Sequence, residues 1–159
     1  MRFTVTLLVC GALAATGCAR AAPESAAASA ASSAAFLAKN ATAPGVKVTP
    51  SGLQYRVLTS GPAGGVSPGP SDEVKVNYEG KLIDGTTFDS SYDRGEPATL
   101  SVDRVIPAWT EALQMMKPGD TWMIYVPAPL GYGDEGAGDG KIPPGAALVF
   151  KIELIAVQK

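Results

Sequence analysis

Alternation of apolar and polar side chains predicts several half-buried β-strands in the second part of the chain. Val74, Val76, Tyr78 and Leu82 fall on one face of a strand, and charged or amide side chains fall between them. Successive side chains of a strand point to opposite faces of the sheet, so this pattern predicts antiparallel strands with one face in a core. The same alternation occurs at 53–57, 122–126 and 147–157.

One segment departs from this alternation and predicts a short helix from Pro107 to Met116. Proline suits the first helical turn, and Lys117-Pro118-Gly119 ends the segment. Trp109, Leu113 and Met116 would then share one helical face. Asp84-Gly85 predicts a hairpin turn into the strand around Phe88. We therefore expect an α+β fold with antiparallel strands packed against one short helix.

Residues 1–17 have the layout of a secretory signal peptide. Arg2 precedes an apolar run from Phe3 to about Ala15, and small residues follow. A transmembrane helix needs about 20 apolar residues, and this run is too short. We therefore expect the protein to be exported.

Two interpretations of the cleavage site remain open. Ala14-Ala15-Thr16-Gly17-Cys18 resembles a bacterial lipobox, although Ala15 stands where that pattern usually has leucine. Lipidated Cys18 without a following aspartate would make a periplasmic lipoprotein of the outer membrane, with the lipid as its only membrane contact. Cleavage after Ala19-Arg20-Ala21 would instead discard Cys18 and give a soluble periplasmic or secreted protein.

The stretch 18–44 is rich in alanine and serine and predicts a tether between the signal peptide and a folded domain at 45–159. Alanine favours helix, so we expect part of this tether to coil locally. Within the domain, the segment 127–146 contains six glycines and four prolines. A loop of about 20 residues in a compact domain is usually functional or disordered, and Tyr132 and Ile142 here favour function.

Composition removes several classes of chemistry. The 159 residues are 46% hydrophobic and 18% charged, which is enough for one domain with its own core. A net charge of −2 without a basic stripe argues against nucleic-acid binding. The chain has no histidine, so Ser-His-Asp and Cys-His catalysis are excluded. Asp134, Glu135 and Asp139 do not match a calcium loop, and we expect no metal site.

Five spaced motifs carry a resemblance to a known family. They are Val74–Gly80, Asp84–Ser91, Val105–Trp109, Gly131–Gly133 and Ile142–Phe150. In this order they resemble the FKBP family of peptidyl-prolyl cis-trans isomerases over residues 45–159. The approach, from Phe36 to Tyr55, resembles the exported bacterial branch that includes macrophage infectivity potentiators.

The resemblance implies a half-barrel, in which a curved antiparallel sheet wraps around the short helix and encloses an apolar pocket. Trp109 would form the floor under a proline ring, beside Phe88. The Tyr132 hydroxyl and the Ile106 backbone N–H would bind substrate carbonyls, and Asp89 would stand at the rim. The remaining substrate-binding residues implied are Tyr78, Arg94, Val105, Ile142 and Phe150.

The activity implied is rotation of X-Pro bonds in exported, proline-containing polypeptides, without a covalent step or a cofactor. A pocket that prefers the twisted amide lowers its barrier. The resemblance also implies that macrolides such as rapamycin fit the pocket. Some relatives dimerise through a long helical arm, whereas 18–44 is short, so we expect a monomer. A second hypothesis is a proline-binding, chaperone-like module with weak catalysis. It is motivated by Ala98, where many relatives carry an aromatic wall residue, and by Lys141, which replaces an apolar neighbour of Ile142.

Overall fold

The computed structural model describes residues 26–158, which form one antiparallel sheet with three α-helices. The strands are β1 (Val46–Val48), β2 (Gln54–Thr59), β3 (Glu73–Leu82), β4 (Thr87–Ser90), β5 (Ala98–Ser101), β6 (Thr121–Val126) and β7 (Leu148–Gln158). The helices are α1 (Ala26–Asn40), α2 (Ser91–Arg94) and α3 (Pro107–Met115). The sheet order is β1-β2-β6-β7-β3-β4, and β5 pairs with the first half of β3.

The central strands follow the predicted alternation. Strand β6 buries every second residue, β7 does so from Leu148 to Leu154, and β3 does so from Val74 to Gly80. Strand β3 pairs with β7 over its whole length, from Glu73 opposite Gln158 to Leu82 opposite Leu148. The predicted turn at Asp84-Gly85 joins β3 to β4, where Gly85 adopts a φ of 91°. The paired strands form a sheet with one apolar face, and this face packs against one further layer of structure.

Helix α3 supplies that layer. Trp109, Leu113 and Met116 are at most 4% exposed and belong to the same core cluster as the inward residues of β3, β6 and β7. Pro107 begins the helix, and the helix ends where the Met116 backbone N–H donates to the Ala112 and Leu113 carbonyls. An antiparallel sheet packed on this short helix confirms the predicted α+β fold.

The alternation predicted for 53–57 is only partly correct. Leu53 is fully buried, but Val57 is 38% exposed and Gln54, predicted to face solvent, is only 5% exposed. Gln54 is buried because its side chain bonds the end of helix α1, donating to the Leu37 carbonyl at 2.9 Å and accepting from Asn40 at 2.8 Å. The end of helix α1 thus covers Gln54, whereas Arg56 on the same face of β2 is exposed as the sequence pattern predicts.

Helix α1 lies against the domain, so residues 26–40 of the predicted tether are ordered helix. Its buried face is polar, with Ser29 and Ser33 at most 7% exposed. The Ser33 hydroxyl accepts a 2.7 Å hydrogen bond from the Ala147 backbone N–H. The domain boundary at residue 45 stays a prediction. Among residues 26–158, no helix combines the length and the apolar character needed to cross a bilayer.

Candidate active site

A cavity of about 290 Å³ opens between helix α3, strands β3 and β4 and the 127–146 loop. Its walls come from five separate segments of the chain. Eight of the ten predicted domain-site residues line it: Tyr78, Phe88, Asp89, Val105, Ile106, Trp109, Tyr132 and Phe150. The structure therefore brings together side chains that lie up to 72 positions apart (78 to 150) in the sequence.

Trp109 is the centre of an aromatic cluster at the base of this cavity. The Tyr78 and Phe150 rings meet the indole edge-on, with centroids 5.1 and 5.4 Å away, and Phe88 meets Phe150 in the same way at 5.5 Å. Edge-to-face pairs at this spacing are favourable and fix ring orientation. The Trp109 indole N–H is buried and has no hydrogen-bond partner among residues 26–158. The base is thus rigid and almost wholly apolar.

A polar cluster of Tyr78, Asp89 and Arg94 stands at one wall. The Tyr78 hydroxyl donates to one Asp89 carboxylate oxygen at 2.5 Å, and the Arg94 guanidinium donates to the other at 2.5 Å. Arg94 also donates to the Tyr78 hydroxyl at 2.9 Å, which closes a triangle of hydrogen bonds. Single-turn helix α2 places Arg94, with Ser90 capping its first turn and Gly95 its last.

This cluster keeps Asp89 ionised. Burial opposes ionisation, but the hydrogen bonds from Tyr78 and Arg94 outweigh it and hold the carboxyl pKa below its usual range. Burial raises the pKa of Tyr78, and its bond to the Asp89 carboxylate adds to the effect. Burial and the Asp89 charge likewise raise the pKa of Tyr132. Near neutral pH the site therefore presents one carboxylate and two protonated phenols.

The Tyr132 hydroxyl and the Ile106 backbone N–H are further donors at the cavity without a partner among residues 26–158. The Tyr132 side chain is 39% exposed, and its hydroxyl contacts no acceptor. The Ile106 backbone N–H precedes the first turn of α3 and donates to no atom of the same part of the chain. An apolar cavity with a few unsatisfied donors is the usual make-up of a site that binds a small apolar group bearing carbonyls.

Comparison with known proteins decides the family. The sequence pattern of the FKBP-type peptidyl-prolyl cis-trans isomerases matches residues 64–155, and that of the domain amino terminal to such isomerases matches 12–57. The chain belongs to the FKBP family. The resemblance inferred from the five sequence motifs is therefore confirmed.

Within the FKBP family, the chain is similar to curated proteins named Mip. The peptidyl-prolyl cis-trans isomerase Mip of Coxiella burnetii is 57% identical over 79% of this chain and 53% of that protein. The outer membrane protein MIP of Legionella longbeachae is 54% identical over 79% of this chain and 52% of that protein. The chain thus spans about half the length of these relatives.

Solved FKBP structures share the fold. FkpA from Escherichia coli superposes with a TM-score of 0.79 at 44% identity, over 84% of this chain and 61% of that one. The peptidyl-prolyl cis-trans isomerase of Pseudomonas syringae superposes with a TM-score of 0.76 at 41% identity, over 84% of this chain and 96% of that one.

The two remaining predicted residues lie beside the FKBP cavity. Arg94 contacts it through Tyr78 and Asp89. Ile142 is 5% exposed and lines an adjoining cavity, whose wall it shares with Phe88, Asp89 and Tyr132. Cys18, the predicted lipidation site, lies outside the described residues.

Leu100 and Arg104 line the main cavity and were missed by the sequence analysis. Leu100 lies on β5, a four-residue strand too short for its alternation to be distinctive. Arg104 ends the short 3-10 turn Val102–Arg104 just before Val105 and Ile106, and its position next to two predicted pocket residues was the available signal. Within residues 26–158 no cluster of three or more metal-ligating side chains occurs.

Proposed function

We propose that this protein is a peptidyl-prolyl cis-trans isomerase that acts on exported proteins by binding the twisted X-Pro amide in the cavity floored by Trp109. The observation that carries the proposal is the cavity itself, in which an aromatic base and the unpartnered donors Tyr132 and Ile106 converge.

The chemistry required is binding rather than bond-making. Rotation about an amide faces a barrier of about 18–20 kcal/mol because the planar form is stabilised by resonance. A site that binds the twisted form better than the planar forms lowers this barrier, and about 1.4 kcal/mol of preference gives tenfold in rate. No nucleophile or cofactor takes part in such a step.

Each side chain then has a defined role. The proline ring packs against Trp109, Phe88 and Phe150. Val105 and Ile142 extend the apolar walls. The Tyr132 hydroxyl and the Ile106 N–H hold substrate carbonyls.

The Tyr78–Asp89–Arg94 cluster fixes the wall beside the rotating bond. Asp89 is ionised there, so it acts electrostatically on the amide and does not transfer a proton.

The site of action in this proposal is the cell envelope. The Mip and FkpA names of the relatives and the layout of residues 1–17 support export. Lipidated Cys18 would tether the domain to the outer membrane. The intact mass of the protein, recovered from both the membrane and the soluble fractions of a bacterium that processes lipoproteins, tests this, because a diacylglycerol on Cys18 and cleavage after Ala21 give different masses.

The first experiment measures cis-trans exchange of a short X-Pro peptide with the purified chain, with and without excess rapamycin. Acceleration that rapamycin abolishes would support both the activity and macrolide binding at this cavity. No acceleration from a folded protein would overturn the activity and leave the proline-binding, chaperone-like module.

Matched variants assign the activity to the cavity. Trp109→Leu and Trp122→Leu each remove a buried indole, but Trp122 stacks on Tyr55 away from the cavity. We expect Trp109→Leu to lose the isomerisation and Trp122→Leu to keep it per folded molecule. Equal losses in the two variants would contradict the assignment. Holdase activity on a proline-free client that survives in Trp109→Leu would show a separate chaperone function.

A further inference from the structure

Helix α1 packs against residues 143–147, at the end of the glycine- and proline-rich loop of the candidate site. The Ala147 backbone N–H donates to the Ser33 hydroxyl at 2.7 Å, and both residues are at most 5% exposed. Gly145 lies so near the helix that a Cβ there would be 3.0 Å from the Cβ of Ala30. This end of the loop is therefore held by a buried hydrogen bond and by close backbone contact.

The Tyr132 phenol is carried by the opposite end of the same loop, residues 131–133. The Tyr132 hydroxyl has no hydrogen-bond partner among residues 26–158, so no side chain fixes the phenol through that group. Gly131 and Gly133 flank it, and glycine leaves the backbone more conformational freedom than any other residue. The Gly133 carbonyl accepts a 2.9 Å hydrogen bond from the Gly145 N–H. The position of the phenol therefore depends on the backbone bond that joins the two ends of the loop.

The other half of helix α1 is anchored on the sheet. Gln54 of β2 donates to the Leu37 carbonyl at 2.9 Å and accepts from Asn40 at 2.8 Å. The rings of Phe36 and of Tyr125 on β6 lie with their centroids 6.1 Å apart. These contacts fix the helix relative to the sheet that supplies the cavity walls. Helix α1 thus connects the sheet to the loop of the phenol from outside the cavity.

We propose that Ser33 is a positioning residue of the isomerase, which holds residues 143–147 and, through the Gly145–Gly133 bond, places the Tyr132 phenol for its substrate carbonyl. The inference rests on the proposed isomerase function and adds a residue that does not line the main cavity. Ser33 touches no substrate and acts through the backbone alone. A chain of contacts transmits an effect only where the residues are energetically coupled, and a double-mutant cycle measures that coupling.

The experiment measures kcat/KM for an X-Pro peptide in Ser33→Ala, Tyr132→Phe and the double variant, at a temperature where thermal denaturation shows each variant folded. Ser33→Ala should lower kcat/KM about twofold to tenfold, and by no more than Tyr132→Phe does. It should have no further effect in the Tyr132→Phe background, because the hydroxyl that it places is gone. Ser33→Thr keeps the hydroxyl and should keep the wild-type kcat/KM.

Asn40→Ala is the matched control. It also removes one hydrogen bond of helix α1, but at the end anchored on Gln54, where the two other anchoring contacts remain. We expect it to lower the Tm and to keep the wild-type kcat/KM. A wild-type kcat/KM in Ser33→Ala would overturn the positioning role. So would a full additional loss from Ser33→Ala in the Tyr132→Phe background, or an equal loss of kcat/KM in Asn40→Ala.

Fluorine NMR separates this inference from the isomerase function. The chain has five tyrosines, and after incorporation of 3-fluorotyrosine the signal missing from Tyr132→Phe belongs to Tyr132. Ser33→Ala should shift or broaden that signal, and Asn40→Ala should leave it unchanged. An unchanged Tyr132 signal in Ser33→Ala would overturn the positioning role. Absence of acceleration by the wild-type chain would refute the isomerase function, and the fluorine signal would still decide whether Ser33 positions the phenol.

Discussion

Gly80 lies directly against the two phenylalanine rings that form one side of the cavity base. It lies on β3 opposite Phe150 of β7 and opposite Asp89 of β4. A Cβ at this position would come within 2.7 Å of a ring carbon of Phe150 and 2.7 Å of a ring carbon of Phe88. The residue is therefore glycine for space, and Gly80→Ala tests whether the rings are held as tightly as the structure indicates.

The magnitude follows from these distances. Ordinary contact begins at 3.4 Å, so each ring would have to retreat by about 3.4 − 2.7 = 0.7 Å. Phe150 is 3% exposed and packed on Trp109, whereas Phe88 is only half-buried, so Phe88 should move more freely and the clash with Phe150 should account for most of the cost. Overpacking of this kind costs about 1–3 kcal/mol of unfolding free energy. At about 4 °C per kcal/mol, the Tm should fall by about 4–12 °C.

Thermal denaturation and kcat/KM for an X-Pro peptide check the two consequences. Gly69→Ala is the matched control, because its added Cβ would meet nothing closer than 3.5 Å. The control should keep its Tm and activity, while Gly80→Ala should lose stability and, since Phe88 shifts, activity as well. A Tm and a kcat/KM that both equal the wild-type values in Gly80→Ala would refute the reasoning about ring packing.

Three further predictions concern helix α1, the carboxylate and the phenol. Ser33→Ala leaves the buried Ala147 N–H unpaired and should lower the unfolding free energy by about 1–3 kcal/mol. Ser32 is exposed, so Ser32→Ala should leave the unfolding free energy almost unchanged. Chemical denaturation measures both values. The low folded-state pKa of Asp89 means that its carboxylate stabilises the protein above about pH 4 and loses this effect as the pH falls through the folded pKa. The stability gap between wild type and Asp89→Asn should therefore narrow on acidification, and a constant gap would contradict this. Tyr132→Phe should lower kcat/KM about twofold to tenfold, the worth of one neutral hydrogen bond, with Tyr125→Phe outside the cavity as control.

The central fold could be predicted from periodicity because its elements are long and face a single core. Strands β3, β6 and β7 bury alternate residues over at least six positions each, and α3 has a proline start and one apolar face. Strands β1 and β5 have three and four residues, too few for alternation to stand out. Their positions come from pairing with β2 and β3, which is information about partners distant in sequence.

The candidate site could be predicted from five motifs but not from any local rule. No spacing along the chain indicates that the Tyr78 hydroxyl on β3 donates a hydrogen bond to the Asp89 carboxylate on β4. That contact depends on the β3–β4 register, in which Gly80 lies opposite Asp89. Arg104 was not predicted for a related reason. Its position at the cavity depends on how the Val102–Arg104 turn packs against helix α3. The Thr110 hydroxyl of α3 donates a 2.7 Å hydrogen bond to the Val102 carbonyl of that turn.

Helix α1 illustrates why an alanine- and serine-rich segment can be a packed element. Side chains this small let two backbones approach closely, and Gly145 (φ +71°) lies where a Cβ would be 3.0 Å from the Cβ of Ala30. The same Gly145 donates its backbone N–H to the Gly133 carbonyl at 2.9 Å, one residue from Tyr132. The Ser33 hydroxyl also accepts a hydrogen bond from the Ala147 backbone N–H. Helix α1 therefore packs against the loop that carries Tyr132. The small side chains of α1 therefore permit close packing on the domain, which a stripe of larger side chains would prevent.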